Sequence, residues 1–234
     1  MMIKIGIVGP EESKWTKEQM PKAKIVINSI LNIANNRHGL VGHEYRWTAM
    51  GFPSWFNAKP IPKDTEIIVV SGHCPISICD SCGKKSFSAI DDPLEGYVAC
   101  EFCGQKRKRR AGGVDIWSEI IAKELGVKTE IHAPEVNQWN DGVEPDEKPD
   151  GTILGYTLKG FRSRNIDIAK SCDVLYCIVP RIDRKLVCDV GAGGWYRESY
   201  CKHCGVYGHP SNGGCYTKKK AVEFGKETHL VVIE

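Results

Sequence analysis

Apolar positions along the chain fall into two alternating patterns. Stretches of strand length occur at Ile3 to Val8, Glu66 to Ser71, Val127 to His132, Asp173 to Val179 and Glu227 to Ile233, mainly apolar in all but Val127 to His132. Between them lie stretches in which apolar residues recur every three or four positions, the period of a helix with one buried face. The clearest runs from Lys17 to Asn36, with Ala23, Val26, Ile27, Ile30, Leu31 and Ile33 on that period. Pro21 suits its first turn. Further helices are predicted from about Val114 to Leu125, closed by Gly126, from Phe161 to Ser171, and from Gly213 to Phe224, with Gly225 as its cap. Strand and helix alternate, so the expected fold is α/β: a Rossmann-like, mostly parallel sheet with helices on both faces.

The spacing is interrupted in places. Residues 40–65 are irregular, with Pro53, Pro60 and Pro62 and a short strand expected near residues 44–48. Residues 133–160 are polar, rich in Pro, Gly and Asp, and read as a long loop around Trp139, a length usually functional or disordered. The second strand ends in Ser71-Gly72 and the chain leaves on an excursion. It returns at Ala111-Gly112-Gly113-Val114-Asp115 and enters the next helix. Without the excursion, a buried strand, a glycine turn and a helix would follow one another directly. The domain expectation is therefore one Rossmann-like unit over 1–234, with insertions at 76–110 and 180–212.

The first insertion reads Cys79-x-x-Cys82 and Cys100-x-x-Cys103, each pair followed by a glycine, Gly83 and Gly104. Two matched pairs at this separation have zinc-ribbon spacing. Four thiolates close a tetrahedral site, so the Zn2+ expected here is structural. The second insertion holds Cys188, Cys201-x-x-Cys204, His203 and His209, with Cys215 just beyond it. Cys201, Cys204, His209 and Cys215 form a candidate second metal site that would pin this insertion to the glycines at 213 and 214. Cys74, Cys172 and Cys177 read as core or loop thiols.

Composition adds bounds. The chain has 234 residues, eleven cysteines and a formal charge of +3. An odd count with paired Cys-x-x-Cys sets favours metal over a disulfide framework. No run of eighteen apolar residues occurs, so no membrane-spanning helix is expected. The amino terminus has no signal-peptide pattern, and a cytoplasmic location is the expectation. A net charge this small does not by itself call for nucleic acid. Lys106-Arg107-Lys108-Arg109-Arg110 does leave that partner open, against a solvated stalk or cations lining a ligand pocket.

In parallel α/β sheets ligands sit at the carboxyl ends of the strands. Here those ends carry Gly9, which follows the first strand without a full Gly-x-Gly-x-x-Gly, and Ser71-Gly72. Glycines opening helices free backbone N–H groups for phosphate, making Gly112, Gly113, Gly213 and Gly214 candidates beside plain turn chemistry.

Ser71-Gly72 with Gly112-Gly113-Val114-Asp115, then Arg164-Asn165-Ile166-Asp167, then Asn212-Gly213-Gly214-Cys215-Tyr216-Thr217, resemble in order the motifs of the SLOG superfamily. That superfamily groups DNA-processing protein A with the lonely-guy phosphoribohydrolases. The resemblance implies a Rossmann-like fold and a pocket for a nucleotide or nucleotide-derived ligand. Arg164 would meet a phosphate or carboxylate, Asn165 a sugar hydroxyl, and Thr217 would lie in the second glycine loop. It also raises N-glycosidic hydrolysis as an activity, but the position of that family's glutamate is Lys220 here. Asp115 and Glu119, one helical turn apart, are the candidate catalytic carboxylates in its place; the alternative is an acidic first turn favoured by the helix dipole. The expected partners are thus a nucleotide-like small molecule, with a nucleic acid as the alternative, and a second copy of the chain as a further candidate.

Overall fold

The computed structural model describes residues 1–36, 45–47, 53–55, 61–62, 64–73, 76–78, 81–82, 85–87, 97–99, 102–108, 113–136, 138–147, 153–181, 200–206, 208–209 and 213–234. In chain order the elements are β1 (Met2–Val8), α1 (Gln19–Asn35), β2 (Tyr45–Trp47), β3 (Pro53–Trp55) and β4 (Glu66–Ser71). Next come β5 (Ile76–Ile78), β6 (Lys85–Phe87), β7 (Tyr97–Ala99), β8 (Lys106–Lys108), α2 (Val114–Glu124) and β9 (Lys128–Ile131). The chain continues with β10 (Gly142–Glu147), β11 (Ile153–Leu158), α3 (Phe161–Ser171), β12 (Val174–Pro180), α4 (Gly213–Glu223) and β13 (Glu227–Ile233).

Five strands form one sheet in the order β13-β12-β1-β4-β9, and every pairing in it is parallel. The chain steps from β1 outward to β4 and β9, then returns to the other side of β1 for β12 and β13. The order reverses between β1 and β12, and in open α/β sheets ligands bind beyond the carboxyl ends of the strands at such a reversal.

Side chains on a strand alternate between faces, and the core divides accordingly. Ile3, Ile5, Ile7, Val174, Tyr176 and Ile178 pack with α1 and α2 residues such as Ile27, Leu31 and Trp117. Leu175, Cys177 and Val179, the intervening residues of β12, pack with Ile168 and Ala169 of α3 and Cys215 and Ala221 of α4. The sheet is therefore covered on both faces, as the continuous apolar strands predict.

The polar segment 133–160 departs from expectation. It contains an antiparallel hairpin, β10–β11, with Gly142 opposite Leu158 and Glu147 opposite Ile153. Pro145 is compatible with a two-stranded ribbon, where one strand edge needs no donor. The residues ahead of the hairpin close the start of α3. Phe161 N–H donates to Gln138 O at 2.9 Å and Arg162 N–H to Trp139 O at 2.9 Å. Asp141 accepts from Gly160 N–H at 2.9 Å and from the Ser163 hydroxyl at 2.7 Å. These bonds supply the partners that a helix start lacks.

Both arms of the first insertion contain hairpins. β5 pairs antiparallel with β6, ending at Ile78 opposite Lys85, and β7 with β8, ending at Ala99 opposite Lys106. By sequence, the connections 79–84 and 100–105 hold the two Cys-x-x-Cys pairs. Cys82 and Cys103 are exposed; Cys79 and Cys100 lie outside the described residues, as do Cys74, Gly112, Arg109, Arg110 and Cys188. The short strand expected near 44–48 is β2, paired with β3. Among the described residues no helix is long and apolar enough to cross a membrane.

Candidate metal centre and ligand crevice

Cys201, Cys204, His209 and Cys215 converge, with their ligand atoms all within 4.8 Å of one another. The local chain explains the convergence. Cys201 N–H donates to Val206 O and Gly205 N–H to Cys201 O, a tight knuckle that turns at Gly205 with φ +73°. Cys215 comes from the first turn of α4. The His209 ring lies between thiols: Cys204 Sγ is 3.2 Å from Nε2 and Cys215 Sγ 4.0 Å from Nδ1. Around an ion with metal–sulfur bonds of about 2.3 Å, neighbouring ligands of a tetrahedron stand roughly 3.5–3.8 Å apart. The group can hold a metal ion.

Cys201, His209 and Cys215 are fully buried. Burial pushes the Cys204 thiol up to about 12. The Cys215 thiol is pushed up as well, first by its hydrogen bond with Cys177, whose Sγ is 3.8 Å away, and then by burial. A cation reverses that preference, because metal ligation needs thiolate. His203, between the two knuckle cysteines, is not one of the four and packs edge-on against Tyr216 at 5.6 Å, and Trp139 meets the same ring at 5.2 Å.

The second cluster lies at the carboxyl end of β4. Ser71, the last residue of that strand, is buried, and its hydroxyl donates to Glu119 Oε1 at 2.5 Å. Glu119 Oε2 meets His73 Nδ1 at 2.7 Å. Both oxygens of Glu119 are therefore engaged. Arg164 Nη1 donates to Asp115 Oδ2 at 2.8 Å, with side-chain exposures of 7% and 5%. Burial raises the Asp115 carboxyl above its ordinary range, and Arg164 opposes the rise. Asp115 Oδ1, Arg164 Nε and His73 Nε2 are buried without a hydrogen-bond partner.

The glycines of the first loop have packing reasons of their own. A Cβ on Gly72 would stand 1.5 Å from Arg164 Nη1 and 2.9 Å from Asp115 Oδ2. Gly113 caps α2 at φ +83°, ψ −151°, a region open essentially to glycine alone. A Cβ there would stand 2.3 Å from Pro10 O, which accepts from Val114 N–H at 3.4 Å. The start of α2 is thus closed against the loop after β1. Gly9 sits equally tightly, against Ile178 O and Val114.

The second loop lies at α4. Asn165 Nδ2 donates to Gly213 O at 3.4 Å, and the buried Thr217 hydroxyl donates to the same carbonyl at 2.9 Å. Gly214 is buried beside Cys215. Lys220 pairs with Glu223 at 2.6 Å. Lys106–Lys108 form β8 in the second hairpin. A cavity of about 610 Å3 lies elsewhere, in the groove between α1 and α2. Its lining of Ile25, Trp117, Ile120, Ile121, Lys24 and Glu124 holds no comparable cluster, so chemistry rather than volume locates the site.

The structure thus joins Ser71, Gly72, Asp115, Glu119 and Arg164 in one network, and Asn165, Gly213 and Thr217 in another at the metal centre. Two residues outside the sequence candidates join these networks: His73 on Glu119 and Cys177 on Cys215. His73 follows Ser71-Gly72 directly, so its position at a strand end was the available signal. The pairing of Cys177 with Cys215 is long-range and leaves no local pattern. Comparison with protein-family models, curated proteins and solved structures finds no match for the chain.

Proposed function

We propose that the carboxyl end of the sheet binds a nucleotide or nucleotide-derived ligand, beside a structural zinc held by Cys201, Cys204, His209 and Cys215. The observation that carries the ligand reading is the trio of orphaned buried atoms, Asp115 Oδ1, Arg164 Nε and His73 Nε2. A buried polar atom without a partner costs roughly 1–3 kcal/mol. Several in one network, beside the point where the strand order reverses, fit a site that a polar ligand completes. The resemblance to the SLOG superfamily supplies the nucleotide. Binding is favoured over N-glycosidic hydrolysis: Glu119 has both oxygens engaged, Asp115 is paired with Arg164, and Lys220 replaces the family glutamate.

Zinc is the ion that suits three thiolates and an imidazole in a closed site. A second structural zinc at Cys79, Cys82, Cys100 and Cys103 is supported by the two hairpins that flank the cysteine pairs. The alternative reading is nucleic-acid binding. It is favoured by the extended placement of Lys106–Lys108 on a hairpin separate from the main sheet.

Calorimetric titration with adenosine monophosphate at low and high salt separates the readings. A pocket gives one site, weakened by Asn165→Ala and little changed by salt. Single-stranded DNA bound through the basic hairpin would weaken steeply with salt.

A further inference from the structure

We propose that His73 contacts a phosphoryl group of the ligand, with Glu119 as the residue that positions it; the inference rests on the nucleotide reading above. His73 sits two residues past Ser71, is 4% exposed, and has φ 41°, the left-handed region that non-glycine residues rarely enter. Its ring is held on one side only. Nδ1 meets Glu119 Oε2 at 2.7 Å, the other carboxylate oxygen is taken by the Ser71 hydroxyl, and His73 N–H reaches that hydroxyl at 3.3 Å.

A carboxylate on one ring nitrogen sets the orientation of the imidazole and leaves the other nitrogen to work. That nitrogen, Nε2, is buried and unpartnered. A histidine present only to satisfy Glu119 would not require the strained backbone or leave Nε2 orphaned. The network around Gly72 supports an anionic contact. Its second orphaned donor is Arg164 Nε, and its orphaned acceptor is Asp115 Oδ1. With Nδ1–H on the carboxylate, Nε2 donates when the ring carries both protons, as between two anions. In that form the two donors and the acceptor match a phosphomonoester that also carries a hydroxyl, such as a phosphorylated sugar.

The test uses the intact chain with nitrogen-15-labelled histidine, and His73→Gln to assign the His73 signals. Long-range proton–nitrogen spectra are recorded with adenosine monophosphate, ribose 5-phosphate and adenosine. Movement of the Nε2 signal by both phosphates and not by adenosine is expected, while Nδ1 keeps its hydrogen-bonded shift. His73→Gln should weaken adenosine monophosphate about tenfold or more in calorimetry, the loss of a hydrogen bond to a charged group. Glu119→Gln should weaken it comparably and abolish the movement of the Nε2 signal on adding the phosphates, which a merely structural glutamate would leave intact. Tight binding with an unmoved Nε2, or movement by adenosine alone, overturns the role of His73 and leaves the ligand site standing. Absence of binding by every probe at millimolar concentration overturns both. The spectra of the unsubstituted chain decide the matter if a variant fails to fold.

Discussion

Arg164 Nη1 donates to Asp115 Oδ2 at 2.8 Å across the carboxyl end of the sheet, joining α3 to α2. The pair lies directly over Gly72, whose missing side chain makes room for the guanidinium. The arginine that the sequence offered to a ligand phosphate therefore has a protein partner at one nitrogen and an open one at another.

Breaking this pair should cost more than removing it. Asp115→Ala or Arg164→Ala leaves a buried charge alone, with an expected loss of about 3–5 kcal/mol. The double change Asp115→Leu with Arg164→Met should lie closer to the parent than either single change. Urea denaturation measures all three; additive losses would show that the two side chains do not act as a pair.

Gly72→Ala and Gly113→Ala should both destabilise, for different reasons. The first displaces Arg164 from Asp115. The second forces a side chain into φ +83° and against Pro10 O, a backbone clash that no rotamer relieves. Gly113→Ala should lower stability by more than about 1 kcal/mol, and thermal unfolding of the two variants checks the order.

Acid should weaken the start of α3 through Asp141. Its carboxyl is held below the ordinary range by the Ser163 hydroxyl and the Gly160 N–H. A lowered folded value means that the contribution is present above the unfolded value of 3.8 and is lost as pH falls through the folded one. Asp115, raised in the fold, acts oppositely and favours folding as pH falls. The Asp141→Asn variant should therefore lose less stability than the parent between about pH 5 and about pH 2.5. Equal slopes in urea titrations across that range would exclude this role.

Metal content should follow the ligand set. The parent chain is expected to carry two zinc ions. Cys215→Ser and Cys82→Ser should each carry one, and Cys177→Ala should keep both, because Cys177 lies against Cys215 without joining the convergent four. Plasma mass spectrometry on desalted protein gives the counts. Binding should release protons from the thiols and strengthen as pH rises. Calorimetry in buffers of different ionisation enthalpy detects that release.

The sheet was legible because its central strands are buried on both faces and so are mainly apolar in sequence, Ile3 to Val8 and Asp173 to Val179 most plainly. Strand ends and glycine caps such as Gly126 and Gly225 followed from local chemistry. The hairpin at 142–158 was missed because its first strand, Gly142–Glu147, is polar and holds a proline, which masks the alternation of Leu154, Tyr156 and Leu158 in the second. Cys201, Cys204, His209 and Cys215 could be assembled from spacing and residue type alone. The loop glycines were read for phosphate, yet Gly72 and Gly113 are required by protein contacts that are remote in sequence. For the same reason the orphaned atoms and the His73–Glu119 contact emerged only once β4, α2 and α3 stood side by side.

Native mass spectrometry of the purified chain, alone and with millimolar adenosine monophosphate, weighs metal and ligand together. A mass excess of two zinc ions and a single nucleotide adduct that Asn165→Ala diminishes is expected. A folded chain at its bare sequence mass, unchanged by the nucleotide, would contradict both the metal and the ligand assignments.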